Sequence, residues 1–199
     1  MTKRERPIRE RERVIRQAAV ELFRERGYEA ATMRELGRRI GVEAPSLYNH
    51  FSSKADLLAE LLIGGMAELV GAVRDAVAAA GDDPAEQLRA GLVAYVLFHE
   101  DRLGEASITD TERRSLRPGE AEQLLALRAE LAATFRGVID RGRETGAFVV
   151  QDPGIATLCL LSLCARLPVW YRPEGRLGLP EIADRIVAFT LHGLNEPPE

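Results

Sequence analysis

TMRELGRRIGVEAPSLYNHFSSK, residues 32–54, carries three local signals in a row. Thr32 followed by Glu35 is a Thr-x-x-Glu capping box: the hydroxyl accepts from the N–H of Glu35, and the Glu35 carboxylate reaches back to the N–H of Thr32. A helix therefore starts at Thr32. Met33, Leu36 and Ile40 recur at helical spacing and give it one apolar side, and Gly41 supplies the backbone freedom that ends it. Pro45 fits only in the first turn of a following helix, where its missing N–H has no intrahelical acceptor to lose. A second helix is predicted over residues 44–50, anchored by Val42, Leu47 and Phe51. Its other side shows Ala44, Pro45, Ser46, Tyr48, Asn49 and His50, small and hydrogen-bonding groups in place of solubilising charges. Such a face suits a DNA groove. Ser and Asn can address base edges, Pro and Ala can touch thymine methyls, and Tyr48, His50 and Lys54 can reach phosphate oxygens. Thr32 and Arg34, at the start of the first helix, complete the expected contact set.

The net charge of −4 conceals a division along the chain. Residues 1–54 hold 13 Lys/Arg against 8 Asp/Glu, a surplus of five positive charges, and residues 55–199 hold 14 against 23. The basic part is the part with the reading helix. Phosphate attraction acts within a Debye length of roughly 8 Å at physiological salt, so acidic residues farther off subtract little. Lys3, Arg4, Arg6 and Arg9 can form an arm along the DNA backbone, or equally a solvated helix face with ion pairs.

Every strong periodicity is helical, and the predicted fold is all-α. A first helix runs to about Arg26, is stopped by Gly27, and turns Ile15, Ala18, Ala19, Leu22 and Phe23 inward. With the two helices above it makes a three-helix DNA-binding domain over residues 1–54; residues 55–199 form a larger helical domain for ligand binding and dimerisation. Ser53 and Asp56 start a long helix to about Ala80. Gly64 and Gly65 inside it cost about 1 kcal/mol each relative to Ala, which implies close packing or a bend. Pro84 opens a helix to about Glu100 with Leu88, Leu92, Tyr95, Val96 and His99 on one side. A short helix is predicted near residues 109–116, and a long one over residues 118–145, burying Leu124, Leu127, Leu131, Phe135, Val138 and Ile139 and ended by Gly146. Asp152 caps the next helix, and a last one covers about residues 180–195. In residues 155–167, 10 of 13 are apolar, and the last helix is apolar on two sides. Helices of that kind need a second covering, which a second copy of the chain supplies in a two-fold dimer. The 13-residue run is shorter than the roughly 20 residues a bilayer needs, and no signal sequence is visible, so the expected location is the cytoplasm. Cys159 and Cys164 fit neither a zinc site nor a disulfide framework.

Residues 41–58, GVEAPSLYNHFSSKADLL, together with the spacing of Ala18, Ala19, Leu22 and Phe23, resemble the DNA-binding domain of the TetR family of bacterial repressors. Glu43 stands where many members carry a Ser or Thr cap, and Glu is a poor cap. The resemblance implies a homodimer with two reading heads about 34 Å apart on a palindromic double-stranded operator. Residues 164–194, CARLPVWYRPEGRLGLPEIADRIVAFTLHGL, are similar to a subgroup that includes repressors of fatty-acid, steroid and aromatic-acid breakdown. That likeness implies an acyl-coenzyme A inducer contacted by Arg166 and Trp170. Tyr95, Phe98 and Phe135 are added as pocket walls on position alone. Arg166 has another reading, an ion pair with a carboxylate such as Glu100 or Asp101, or a guanidinium that reaches solvent.

An enzyme is the rival class. The sequence has no glycine-rich phosphate loop after a strand, no metal-ligand spacing, and only His50, His99 and His192 as histidines. No catalytic residue, metal or cofactor is expected. Two further readings keep the fold: a regulator answering a different hydrophobic inducer, and a DNA-binding protein that needs no ligand.

Overall fold

The computed structural model describes residues 5–100 and 102–195, and every regular element among the described residues is a helix. The all-α prediction holds. Two compact units divide the chain: Met1–Gly65 with Gly104–Leu124, and Met66–Leu103 with Leu125–Glu199. The unit containing the reading head thus takes in residues 55–65 and 104–124 as well as the expected 1–54.

In the first unit, α1 (Glu5–Arg26) stops at Gly27, whose φ of +75° lies in the left-handed region open to glycine. Ile15, Ala18, Ala19, Leu22 and Phe23 are all buried, as their spacing predicts. Lys3 and Arg4 of the basic arm lie outside the described residues, as do the side chains of Arg6 and Arg9. Next come α2 (Met33–Arg39), α3 (Ala44–Leu47) and α4 (Lys54–Ala59). The Ser53 hydroxyl accepts from the N–H of Asp56 at 3.0 Å and starts α4 where the sequence places it. The long helix expected to follow is interrupted: α4 gives way to a π-helical turn, Glu60–Gly64, before α5 (Gly65–Ala79). A Cβ on Gly64 would stand 3.0 Å from the Glu60 carboxylate, and Glu60 itself pairs with Arg16 of α1. The two glycines therefore mark a change of helical winding, which a smooth 3.6-residue pattern does not reveal. α7 spans Leu103–Glu112, followed by a 3-10 turn, Arg113–Ser115, so the helix predicted near 109–116 begins and ends earlier. Its register is set by tertiary contact. Ile108 is buried, and Gly104 lies so near Val20 that a Cβ there would be 2.6 Å from Cγ1.

In the second unit, Asp83 caps α6 (Pro84–Phe98), its carboxylate accepting from the N–H of Ala85 at 2.9 Å. Leu88, Leu92, Tyr95, Val96 and His99 are all buried on the predicted side. α8 (Pro118–Glu144) brings Leu131, Phe135, Val138 and Ile139 into the same core and ends before Gly146, at φ +79°. Gly91 permits close approach here, since a Cβ would lie 3.0 Å from both the Phe135 ring and Val77. Asp152 caps α9 (Pro153–Ala165) with bonds from Gly154 N at 2.7 Å and Ile155 N at 3.1 Å. α10 (Leu167–Trp170) follows, and α11 (Leu179–Gly193) packs along α6. Together Pro153–Trp170 make an 18-residue run of mean hydropathy 1.4, long enough by length and composition to cross a membrane, which the 13-residue apolar stretch alone is not. Only 28% of the residues in that run are buried; Ile155, Leu158, Val169 and Trp170 are exposed.

Candidate nucleic-acid interface

α2 begins as its cap predicts, with the Thr32 hydroxyl accepting from Glu35 N at 3.1 Å. The return half of the capping box is replaced: the Glu35 carboxylate lies 3.8 Å from Arg26 and 4.0 Å from Arg38. Gly37, which the sequence reading passed over, makes the turn between α2 and α3. A Cβ there would stand 2.6 Å from the Val42 carbonyl oxygen, and the Val42 N–H donates to the Gly37 carbonyl at 2.9 Å. Only glycine lets the two helices approach so closely. Gly41 closes the turn with φ +71°.

α3 is shorter than predicted. Regular α-helix ends at Leu47, and Tyr48, Asn49 and His50 continue as a tightened turn in which His50 N donates to Leu47 O at 2.9 Å and Phe51 N to the same oxygen at 3.0 Å. The cause is local at one end and tertiary at the other. Glu43 occupies the cap position without a side-chain hydrogen bond, and Phe51 must drop into the core beside Leu47. The outward face survives: Pro45, Tyr48 and Asn49 are exposed, and Ala44, Ser46 and His50 are half-buried. Tyr48, at 51% exposure, is the largest group offered to a partner. His50 sits with Nδ1 3.7 Å from the Glu12 carboxylate. On α2, Thr32, Arg34 and Arg38 are exposed, whereas Arg39 is engaged by Glu25, whose carboxyl that hydrogen bond holds below its ordinary pKa.

Lys54 departs from expectation. Its ammonium donates to three carbonyls of the α1–α2 connection, Tyr28 at 2.7 Å, Ala31 at 2.9 Å and Glu29 at 3.2 Å, and lies 4.2 Å from the centre of the Tyr28 ring. All three N–H donors are used inside the protein, so the phosphate contact foreseen for it has no donor left. Its work is to fix the segment that leads into α2. Beside it, Arg117 at the start of α8 bonds Asp56 of α4 at 2.8 Å and Glu120 through its Nε at 2.7 Å. Hydrogen bonds from Ser53 and then Arg117 hold the Asp56 carboxyl below its usual range. Two carboxylates so far apart in sequence could be assigned to one guanidinium only from coordinates.

The residues expected to face a ligand fall into two groups. Tyr95 and Phe135 are buried in the core of the second unit, and Phe98 packs against that core half-buried. Arg166 and Trp170 are exposed instead, so Arg166 is no buried charge in need of an internal partner; Asp101 lies outside the described residues. Pro168 sits in the first turn of α10, and Val169 N donates to Arg166 O at 3.0 Å, so the chain from Arg166 to Trp170 follows a helical path. The two side chains end a stripe of exposed groups on α9 and α10 that begins with Ile155, Leu158 and Cys159, while Ala188 and Phe189 are exposed on α11.

Two family models match the chain: bacterial regulatory proteins of the tetR family over residues 15–61, and the tetracyclin repressor-like C-terminal domain over residues 81–194. Among curated proteins, the HTH-type transcriptional repressor KstR2 of Rhodococcus jostii is 28% identical over 180 residues, covering 90% of this chain and 88% of that one. Among solved structures, the TetR family transcriptional regulator PfmR from Thermus thermophilus superposes with a TM-score of 0.82 at 30% identity, over 92% of this chain and 99% of PfmR. AibR, solved in complex with isovaleryl coenzyme A and operator DNA, gives a TM-score of 0.76 at 25% identity, over 95% of this chain and all of AibR (100%).

Proposed function

The chain belongs to the TetR family of bacterial transcriptional regulators, and we propose that it is a cytoplasmic repressor that grips a palindromic operator as a homodimer and is released by an acyl-coenzyme A thioester. It is a regulator and not an enzyme. Residues 1–54 read DNA, and residues 55–199 bind the ligand and the second copy.

The observation that carries the reading is the outward face of α3. Leu47 is 1% exposed and anchors the turn, while Pro45, Tyr48 and Asn49 stand clear of the chain. Asn49 and Ser46 address base edges, Ala44 and Pro45 thymine methyls, and Thr32, Arg34, Tyr48 and His50 the phosphates on either side. Lys54 acts at one remove by holding the α1–α2 connection.

Ile155 and Leu158 on α9 and Phe189 on α11, at 58%, 61% and 74% exposure, support the dimer. Apolar groups of this size on the late helices lose water contact when a second copy covers them. Arg166 and Trp170 at the end of the α9–α10 stripe offer a guanidinium and an indole to the phosphates and adenine of coenzyme A, and Tyr95, Phe98 and Phe135 offer apolar walls to the acyl group. The complex of AibR with a coenzyme A thioester supports this ligand class.

Linkage sets the size of the effect. A ligand weakens operator binding only by its preference between two states of the dimer, typically about 1 to 3 kcal/mol, or roughly 5- to 150-fold. Because AibR holds thioester and operator together, a second reading has ligand and DNA bound at once. Calorimetric titration with a panel of acyl-coenzyme A esters, with and without operator, tests both. The proposal expects binding that falls at least tenfold in Arg166→Ala and an operator affinity lowered by the ester; an unchanged or raised operator affinity favours the second reading. No heat with any ester, or equal heat after Arg166→Ala, defeats the inducer assignment.

A further inference from the structure

Among the described residues three polar side chains are buried, all in the second unit: Gln87, His99 and Thr157. Two are accounted for. Gln87 donates to the Gly81 carbonyl and accepts from Arg141 at 2.6 Å, and the Thr157 hydroxyl donates to the Pro153 carbonyl at 2.7 Å. His99, 4% exposed, has neither ring nitrogen in a hydrogen bond. Its ring lies beside aromatic groups of its own helix, 5.7 Å from Tyr95 and 6.3 Å from Phe98. A buried polar group left unpaired costs about 1–3 kcal/mol against an apolar side chain of similar shape, so packing alone is better served by Leu or Phe.

We propose that His99 is the polar contact for an uncharged oxygen function, a hydroxyl or a ketone, on the acyl part of the inducer, with Tyr95 and Phe98 against the hydrocarbon beside it. This deepens the acyl-coenzyme A reading above and rests on it. Burial pushes the pKa of His99 down to about 4, so near pH 7 the ring is neutral and presents one N–H donor and one lone-pair acceptor. A ketone oxygen accepts from that N–H, and a hydroxyl can either accept from it or donate to the bare nitrogen. A plain alkyl chain leaves both nitrogens unpaired. A carboxylate is best met by imidazolium, which these surroundings disfavour. Sites of this kind reject analogues that lack the oxygen, because the buried partner is then stranded.

The experiment titrates full-length wild type, His99→Leu and His99→Gln with coenzyme A esters paired so that members differ only in one oxygen. Octanoyl is set against 3-hydroxyoctanoyl and 3-oxooctanoyl, and cyclohexylacetyl against 4-oxocyclohexylacetyl. Wild type is expected to prefer the oxygenated member of at least one pair about tenfold or more. His99→Leu reduces that preference to less than about threefold without weakening the plain ester, and His99→Gln, which keeps a donor and an acceptor, retains most of it. Ligand-free His99→Leu melts no lower than wild type, which separates lost recognition from lost folding. The inference is overturned if wild type binds esters without preference in any pair, or if its preference survives in His99→Leu; the histidine then only packs or holds an ordered water. If wild type binds none of the esters, the acyl-coenzyme A reading fails first and takes this inference with it.

Discussion

The Lys54 ammonium turns inward, and the role proposed for it in operator binding is indirect. With its donors spent on the carbonyls of Tyr28, Glu29 and Ala31, it is expected to contribute geometry and not phosphate charge. Salt dependence separates the two roles, because each lost phosphate contact lowers the slope of log affinity against log salt by about one. Lys54→Met is expected to weaken operator binding at least tenfold with an unchanged slope, whereas Arg34→Ala lowers the slope by about one. Fluorescence anisotropy at several salt concentrations measures both, and a slope reduced in Lys54→Met would return that residue to the phosphates. His99 carries a second prediction at this scale. Its folded pKa of about 4 lies below the ordinary 6.5, so between those values the unfolded chain binds more protons than the folded one. Its contribution is fully present above pH 6.5 and is lost as pH falls through 4, by on the order of 3 kcal/mol. Denaturant midpoints across that window should fall less steeply toward acid in His99→Leu than in wild type; parallel curves would show that His99 does not titrate on unfolding.

Among the elements, the helix-turn-helix is held by the spacing of α2 from α3. Gly37→Ala would place a methyl 2.6 Å from the Val42 carbonyl, backbone that cannot swing aside, so the two helices must separate. The expected result is a loss of about 1–3 kcal/mol of stability and more than tenfold in operator affinity. Gly71→Ala is the control: nothing lies within 4 Å of a Cβ there, and in the interior of α5 alanine should stabilise by up to about 1 kcal/mol. Thermal melts of the two variants that move in the same direction would undo the argument. The local half of this element was readable in advance. Thr32 and Ser53 cap helices through bonds three residues away, and Pro45 and Gly41 act through their own backbones. Where α3 ends was not readable, because Phe51 draws the chain inward only once a core exists to receive it.

For the molecule as a whole, the proposed dimer rests on the apolar pattern of the late helices and on their exposed apolar groups. Leu158→Glu, placing charge in the middle of the stripe, is expected to convert dimer to monomer in sedimentation and to lower operator affinity at least a hundredfold. The two cysteines report the same event. Cys159 is exposed beside Leu158, whereas burial pushes the Cys164 thiol up to about 12 and holds it unreactive. In the dimer both should react slowly with a thiol reagent; in Leu158→Glu, Cys159 becomes fast and Cys164 stays slow. A wild-type chain that sediments as monomer with a fast Cys159 would remove the basis for two reading heads on one operator.

Legible from the residues alone were the helical class, the starts of helices at Thr32, Ser53, Pro84 and Asp152, their stops at Gly27 and Gly146, and the inward faces of α1, α6 and α8. Each of these depends on groups within a few residues of one another or on a single repeating period, so the information is local. It took the folded arrangement to establish that Lys54 turns inward, that Arg117 joins Asp56 to Glu120, that a π-turn breaks the helix at Glu60–Gly64, and that His99 is buried with both nitrogens bare. The partner of a charge, the limit of a turn and the cost of an unpaired nitrogen are set by groups distant along the chain, and they acquire values only when folding brings those groups together.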